Sequence, residues 1–157
     1  IRDSGYTHAG LFYTISAVSM IIIRMISKHF MDTVPAIKTM TGAVACGILC
    51  CLMLLAAPYG EPVFLASGIF YGLATGISLP LNQSVAVKNT PPERWGAANA
   101  LFLLANDIGI GFASVIWGVI NDSFGFQTSI VCVIVCLIAS YASAWIVYPA
   151  RDKRWRH

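Results

Sequence analysis

Apolar stretches long enough to cross a bilayer recur five times in this chain, at about residues 9–30, 36–57, 63–87, 95–120 and 127–148. A helix spanning the ~30 Å hydrocarbon core needs about 20 predominantly apolar residues. No water reaches that layer to satisfy backbone N–H and C=O groups, so the chain must close its own hydrogen bonds, as a helix does. Composition agrees. Hydrophobic residues make up 57% of the chain, charged residues 11%, and the mean hydropathy is +0.73. A soluble domain carries about 25% charged residues. The expected fold class is therefore all-α and integral to a membrane, with residues 1–157 forming one transmembrane domain.

The stretch at 95–120 carries the most informative residue. Asp107 is the only carboxylate deep inside any of the five stretches. An ionisable group at that depth costs roughly 2.5–3.5 kcal/mol on insertion scales, so something must compensate it. At helical spacing Asp107 shares a stripe with Ala97, Ala100, Leu104, Gly111, Ser114 and Gly118. Leu101, Phe102, Phe112, Ile116 and Val119 occupy the other side, which suits lipid. The carboxylate thus faces the small residues, where another helix or a water-filled cavity can approach. Two roles stay open for Asp107 and its neighbour Asn106. One is to bind and release a proton; the other is to fix helix packing through hydrogen bonds.

The other stretches add polar faces and close-packing sites. Gly68, Gly72 and Gly76 repeat every four residues, a small-residue stripe that lets helix backbones approach closely. Gly111 and Gly118 are the corresponding packing positions on the Asp107 stripe. Beside the first stripe run Tyr71, Thr75, Ser78 and Asn82, also at helical spacing, a polar face expected to line a cavity or a domain interface. Pro80 is expected to kink or loosen that helix near its end. In the first stretch Arg24 lies toward the far end, where its side chain can snorkel to the interface or take part in a gate. The second and fifth stretches lack such polar faces and are expected at the lipid-facing periphery.

Catalysis is not expected. An intramembrane aspartyl mechanism needs two carboxylates that meet, and Asp107 has no deep partner. His8, His29 and His157 all lie outside the apolar stretches. Five cysteines, Cys46, Cys50, Cys51, Cys132 and Cys136, sit in apolar runs with no Cys-x-x-Cys spacing and no nearby His, so neither metal nor cofactor is implied. No basic stripe with interleaved aromatics suggests nucleic acid. The start at Ile1, without a signal-peptide pattern, reads as a cut inside a longer protein.

With five spans, alternate loops share a side. Of the ten Lys and Arg residues, all but Arg2 then fall on one side. The positive-inside rule puts that side, and the C-terminus, in the cytoplasm.

These patterns together resemble the major facilitator superfamily of secondary transporters, over nearly the whole chain. Leu11, Phe12, Tyr13 and Thr14, followed by Arg24 and Asp32, are similar to the eighth helix of a twelve-helix member and the loop after it. Gly68, Gly72 and Gly76 followed by Pro80 and Gln83 resemble the tenth. Arg94, Trp95, Gly96 and Asn99, then Asp107, Gly109 and Gly118, resemble the start and body of the eleventh. The resemblance implies five helices forming most of a C-terminal six-helix bundle, with the bilayer, a small-molecule substrate and the preceding helices of the same transporter as partners. It implies a cytoplasmic gate at Arg24, Asp32 and Arg94. The flavour is that of bacterial inner-membrane proteins performing proton-coupled efflux by alternating access. Uptake of a small metabolite, or a non-transporting truncated or assembly protein, are the alternatives.

Overall fold

The computed structural model describes residues 9–57, 60–88 and 90–147, with side chains at 10–27, 34–57, 60–88 and 90–145. Four helices follow one another: α1 (Ala9–Thr33), α2 (Ala36–Leu55), α3 (Glu61–Lys88) and α4 (Trp95–Val147), with a 3-10 turn at Pro92–Arg94 before α4. No strand occurs among the described residues, and all four helices are long and apolar enough to cross a membrane. The basic tail at 151–157 and the turn residues Pro58 and Tyr59 lie outside the described residues.

One departure from the sequence reading has a clear cause. A turn is expected at 121–126, but helical backbone runs up to and away from a single residue, Gly125, with φ 83° and ψ 169°. Only glycine enters that region without a steric penalty, so one residue redirects the chain in place of a six-residue turn. A straight helix of 53 residues would extend ~80 Å, far beyond a ~30 Å core, so the break divides α4 into two limbs. α2 packs between α3 and the second limb of α4, burying Met40, Ala43, Val44, Cys50 and Cys51. Its small residues explain this. An ideal Cβ at Gly47 would sit 3.4 Å from Leu137 and 3.9 Å from Ala74, so both α3 and the second limb of α4 pass close. α3, for its part, stays helical through Pro80.

The packing directions follow from particular contacts. Met40, Val44, Leu81 and Ala144 form a buried cluster, with Ala36, Ile48 and Tyr141 packed against it. Thr41 Oγ1 and Tyr141 Oη share a hydrogen bond of 2.9 Å. With Gly47 near Leu137 and Thr41 at Tyr141, the second limb runs antiparallel to α2. α1 runs parallel to α3: Gly68 meets Phe12 and Ser16, Gly72 meets Ser16 and Ser19, and Gly76 meets Met20 and Ile23.

Candidate functional site: polar faces of α1, α3 and the first limb of α4

The α1–α3 crossing is set by glycine. An ideal Cβ at Gly72 would fall on the Ser16 carbonyl oxygen and lie 2.8 Å from Ser19 Cβ; at Gly76 it would meet Ile23 Cγ2. At Gly68 it would lie 3.1 Å from Phe12 Cδ2, Phe12 O and Ser16 Oγ. Backbone-to-backbone approach this close excludes any side chain from the stripe. Ser16, buried in the contact, donates its hydroxyl to Phe12 O at 2.7 Å. Phe12 also stacks on Phe64, with ring centroids 5.0 Å apart, and tilts against Tyr71 at 6.1 Å.

Tyr71, Thr75, Ser78 and Asn82 line the neighbouring face of α3. Tyr71 is 44% exposed, while Thr75, Ser78 and Asn82 are half-buried. Thr75 Oγ1 donates to Tyr71 O at 2.8 Å, and Ser78 Oγ donates to Ala74 O. Both hydroxyl protons are therefore used within the helix, leaving oxygen lone pairs as what these two residues offer outward. That suits a ligand group that donates a hydrogen bond.

The first limb of α4 is fastened at its start. Gln83 Nε2 donates to Asn99 Oδ1 at 2.5 Å, tying the far end of α3 to the limb. Trp95 Nε1 donates to Thr90 O at 3.0 Å and closes the connecting turn. Arg94, exposed, sits in that turn. Beyond Asn99 one side of the limb is open. Asp107 is exposed and Asn106 half-buried. An added Cβ at Gly109, Gly111 or Gly118 would meet nothing within 4 Å. Ser114 Oγ turns back to Gly111 O at 2.8 Å. The two small-residue stripes thus differ. Gly68, Gly72 and Gly76 are filled by α1, whereas Gly111 and Gly118 stand clear of every described helix.

Arg24 lies exposed on α1 and Arg94 exposed before α4, while the side chain of Asp32 lies outside the described residues. Two polar contacts escaped the sequence reading. Gln83 with Asn99 and Thr41 with Tyr141 each join residues whose proximity no local pattern announces. The available signal was only that Thr41 is polar within an otherwise apolar stretch.

Long apolar helices with their polar side chains gathered along particular faces, joined by short connections, define a multi-pass α-helical membrane protein. Within that class the chain matches the sequence model of the Major Facilitator Superfamily over residues 2–157, and it belongs to that family of membrane transporters. Neither a curated protein nor a solved structure matches it.

Proposed function

We propose that this chain supplies the C-terminal helices of a proton-coupled secondary transporter that exports a small molecule by alternating access. The observation that carries this reading is Asp107. It is a lone carboxylate midway along a limb whose small-residue stripe is open, and such residues in membrane helices mark ion and proton pathways. Helices preceding this segment in the same transporter cover the open stripe, and substrate sits between the two halves, as in repeat-built transporters. Tyr71, Thr75, Ser78 and Asn82 form this chain's share of the substrate cavity. Arg24, Asp32 and Arg94 serve the cytoplasmic gate, with the C-terminus on the cytoplasmic side of the bacterial inner membrane. Gly68, Gly72 and Gly76 hold α1 and α3 together as one rigid unit.

Asp107→Asn tests the coupling role, since it keeps shape and most hydrogen bonding while removing titration. The expected result, in proteoliposomes of the intact transporter, is retained folding and substrate binding with loss of accumulation driven by a pH gradient. Uphill transport with unchanged pH dependence would leave Asp107 a packing residue.

A further inference from the structure

We infer that α1 completes the substrate cavity that α3 begins, and that the substrate is an aromatic organic anion whose charged end is held by Arg24. The inference deepens the proposed function and rests on its placing of the substrate against Tyr71, Thr75, Ser78 and Asn82.

The crossing of α1 and α3 decides which sides line up. Phe12, Ser16, Ser19 and Ile23 of α1 meet Gly68, Gly72 and Gly76, and the two helices run parallel. In a parallel pair, residues just after the contact row on one helix and just before it on the other border the same side. Tyr13, Met20 and Arg24 follow the row on α1, and Tyr71 and Thr75 precede it on α3. The rings agree. Phe12 touches both Tyr13, at a centroid distance of 5.5 Å, and Tyr71, at 6.1 Å. Leu11, Ile15 and Ile22 on α1 and Ile69 and Leu73 on α3 border the opposite side. That side is apolar and suits lipid. The other carries Arg24 and the polar face of α3 together.

The groove between these two flanks has unlike ends. At one end Tyr13 and Tyr71 stand exposed beside Phe12 and Phe64, as an aromatic wall. At the other is Arg24, also exposed. Gly76 lies beside Met20 and Ile23, so Arg24 is level with Ser78 and Leu79, about 11 Å along the axis from Tyr71 at a rise of 1.5 Å per residue. Between the ends, Thr75 and Ser78 present oxygen lone pairs. A cation inside the hydrocarbon layer requires compensation. The described side chains of α1 and all of α2 include no carboxylate, and Glu61, the one on α3, is its first residue. A bound anion supplies what these helices do not. The planar fork of arginine matches an oxyanion such as a carboxylate through paired hydrogen bonds. A flat ring then covers the tyrosines, and a donor on the ligand meets Thr75 or Ser78. Arg24 stands on the Thr33 side of the groove, so filling the groove also neutralises a gate residue.

The test uses three probes built on one ring system: indole-3-acetate, its neutral amide and the cation tryptamine. Binding to the intact transporter in detergent is measured by equilibrium dialysis. Indole-3-acetate should bind, and the amide and tryptamine should bind more weakly by roughly tenfold or more. Arg24→Gln should cost the acid a similar factor, Arg24→Lys should cost less, and Lys38→Gln on α2 should cost nothing. Arg24→Lys keeps the charge, so it separates lost binding from lost folding. In an otherwise cysteine-free protein, Tyr13→Cys should be shielded from a maleimide by indole-3-acetate and not by tryptamine. Equal binding of the three probes, no binding of the acid, or acid binding indifferent to Arg24→Gln overturns the inference. If pH-driven transport still requires Asp107 in that case, the transporter reading stands without this substrate class. If the acid binds through Arg24 while Asp107→Asn transports it with unchanged pH dependence, the site is real and proton coupling fails.

Discussion

Replacing Gly72 with alanine places one methyl group between α1 and α3. The ideal Cβ would fall on the Ser16 carbonyl oxygen, 2.8 Å from Ser19 Cβ and 3.1 Å from the Met20 nitrogen. Two of those atoms are backbone, so no rotamer change clears the space. α1 must retreat by at least several tenths of an ångström to restore ordinary contact. Any retreat also loosens the contacts at Gly68 and Gly76, because the three glycines form one crossing. Overpacking of this kind costs about 1–3 kcal/mol. Alanine's better helix propensity offsets at most ~1 kcal/mol of it. The expected net loss is about 1–2 kcal/mol, which reduces the folded-to-unfolded ratio by a factor of roughly 5–30. For a chain of this size that corresponds to a midpoint lowered by about 2–4 °C per kcal/mol. Thermal unfolding in detergent, followed by the monodisperse fraction on size exclusion, measures it. A Gly72→Ala protein as stable as the parent would refute the close crossing.

Gly111→Ala is the companion measurement. Within the described helices its Cβ meets nothing, so stability of this chain alone should be unchanged or raised by up to ~1 kcal/mol. In the intact transporter, by contrast, the same change should lower stability if preceding helices cover this stripe, and equal tolerance in both settings would argue against such a partner. Gly125→Ala forces a Cβ into a backbone region at φ 83°, ψ 169° that is essentially reserved for glycine, at a cost of roughly 1–3 kcal/mol, and a thermal midpoint equal to the parent's would show that this backbone turn is not required. Topology is checked by single cysteines in a cysteine-free protein. A cysteine at Ser123 should react with an impermeant thiol reagent added outside and one at Thr90 should not, whereas the reverse labelling would invert the assigned orientation.

The filled glycine stripe and the apolar cluster show where the described helices interlock. α1, α2, α3 and the second limb of α4 interlock through Gly47, Gly72 and the cluster around Met40, Val44 and Leu81. The Gln83–Asn99 hydrogen bond joins the first limb to this body.

Membrane residence, helical fold class and family were all readable from the chain alone. These properties are carried by local runs: twenty apolar residues determine a spanning helix wherever they occur, and motifs such as Gly68, Gly72 and Gly76 keep their spacing without any fold being known. Asp107 was recognisable for the same reason, since one carboxylate in an apolar run needs no neighbour to stand out. What only the tertiary structure decided is which surfaces meet. That α1 fills the glycine stripe, that α2 packs between α3 and the second limb of α4, and that Gln83 finds Asn99 depend on the arrangement of helices. Hydropathy is blind to that arrangement, because in a bilayer a helix face can pack against lipid or protein with nearly equal apolar character. The turn at Gly125 belongs with these. Asn121, Asp122 and Ser123 suggest a loop, but polar side chains near a membrane surface are equally compatible with helix, and a single glycine at positive φ is enough to redirect the chain.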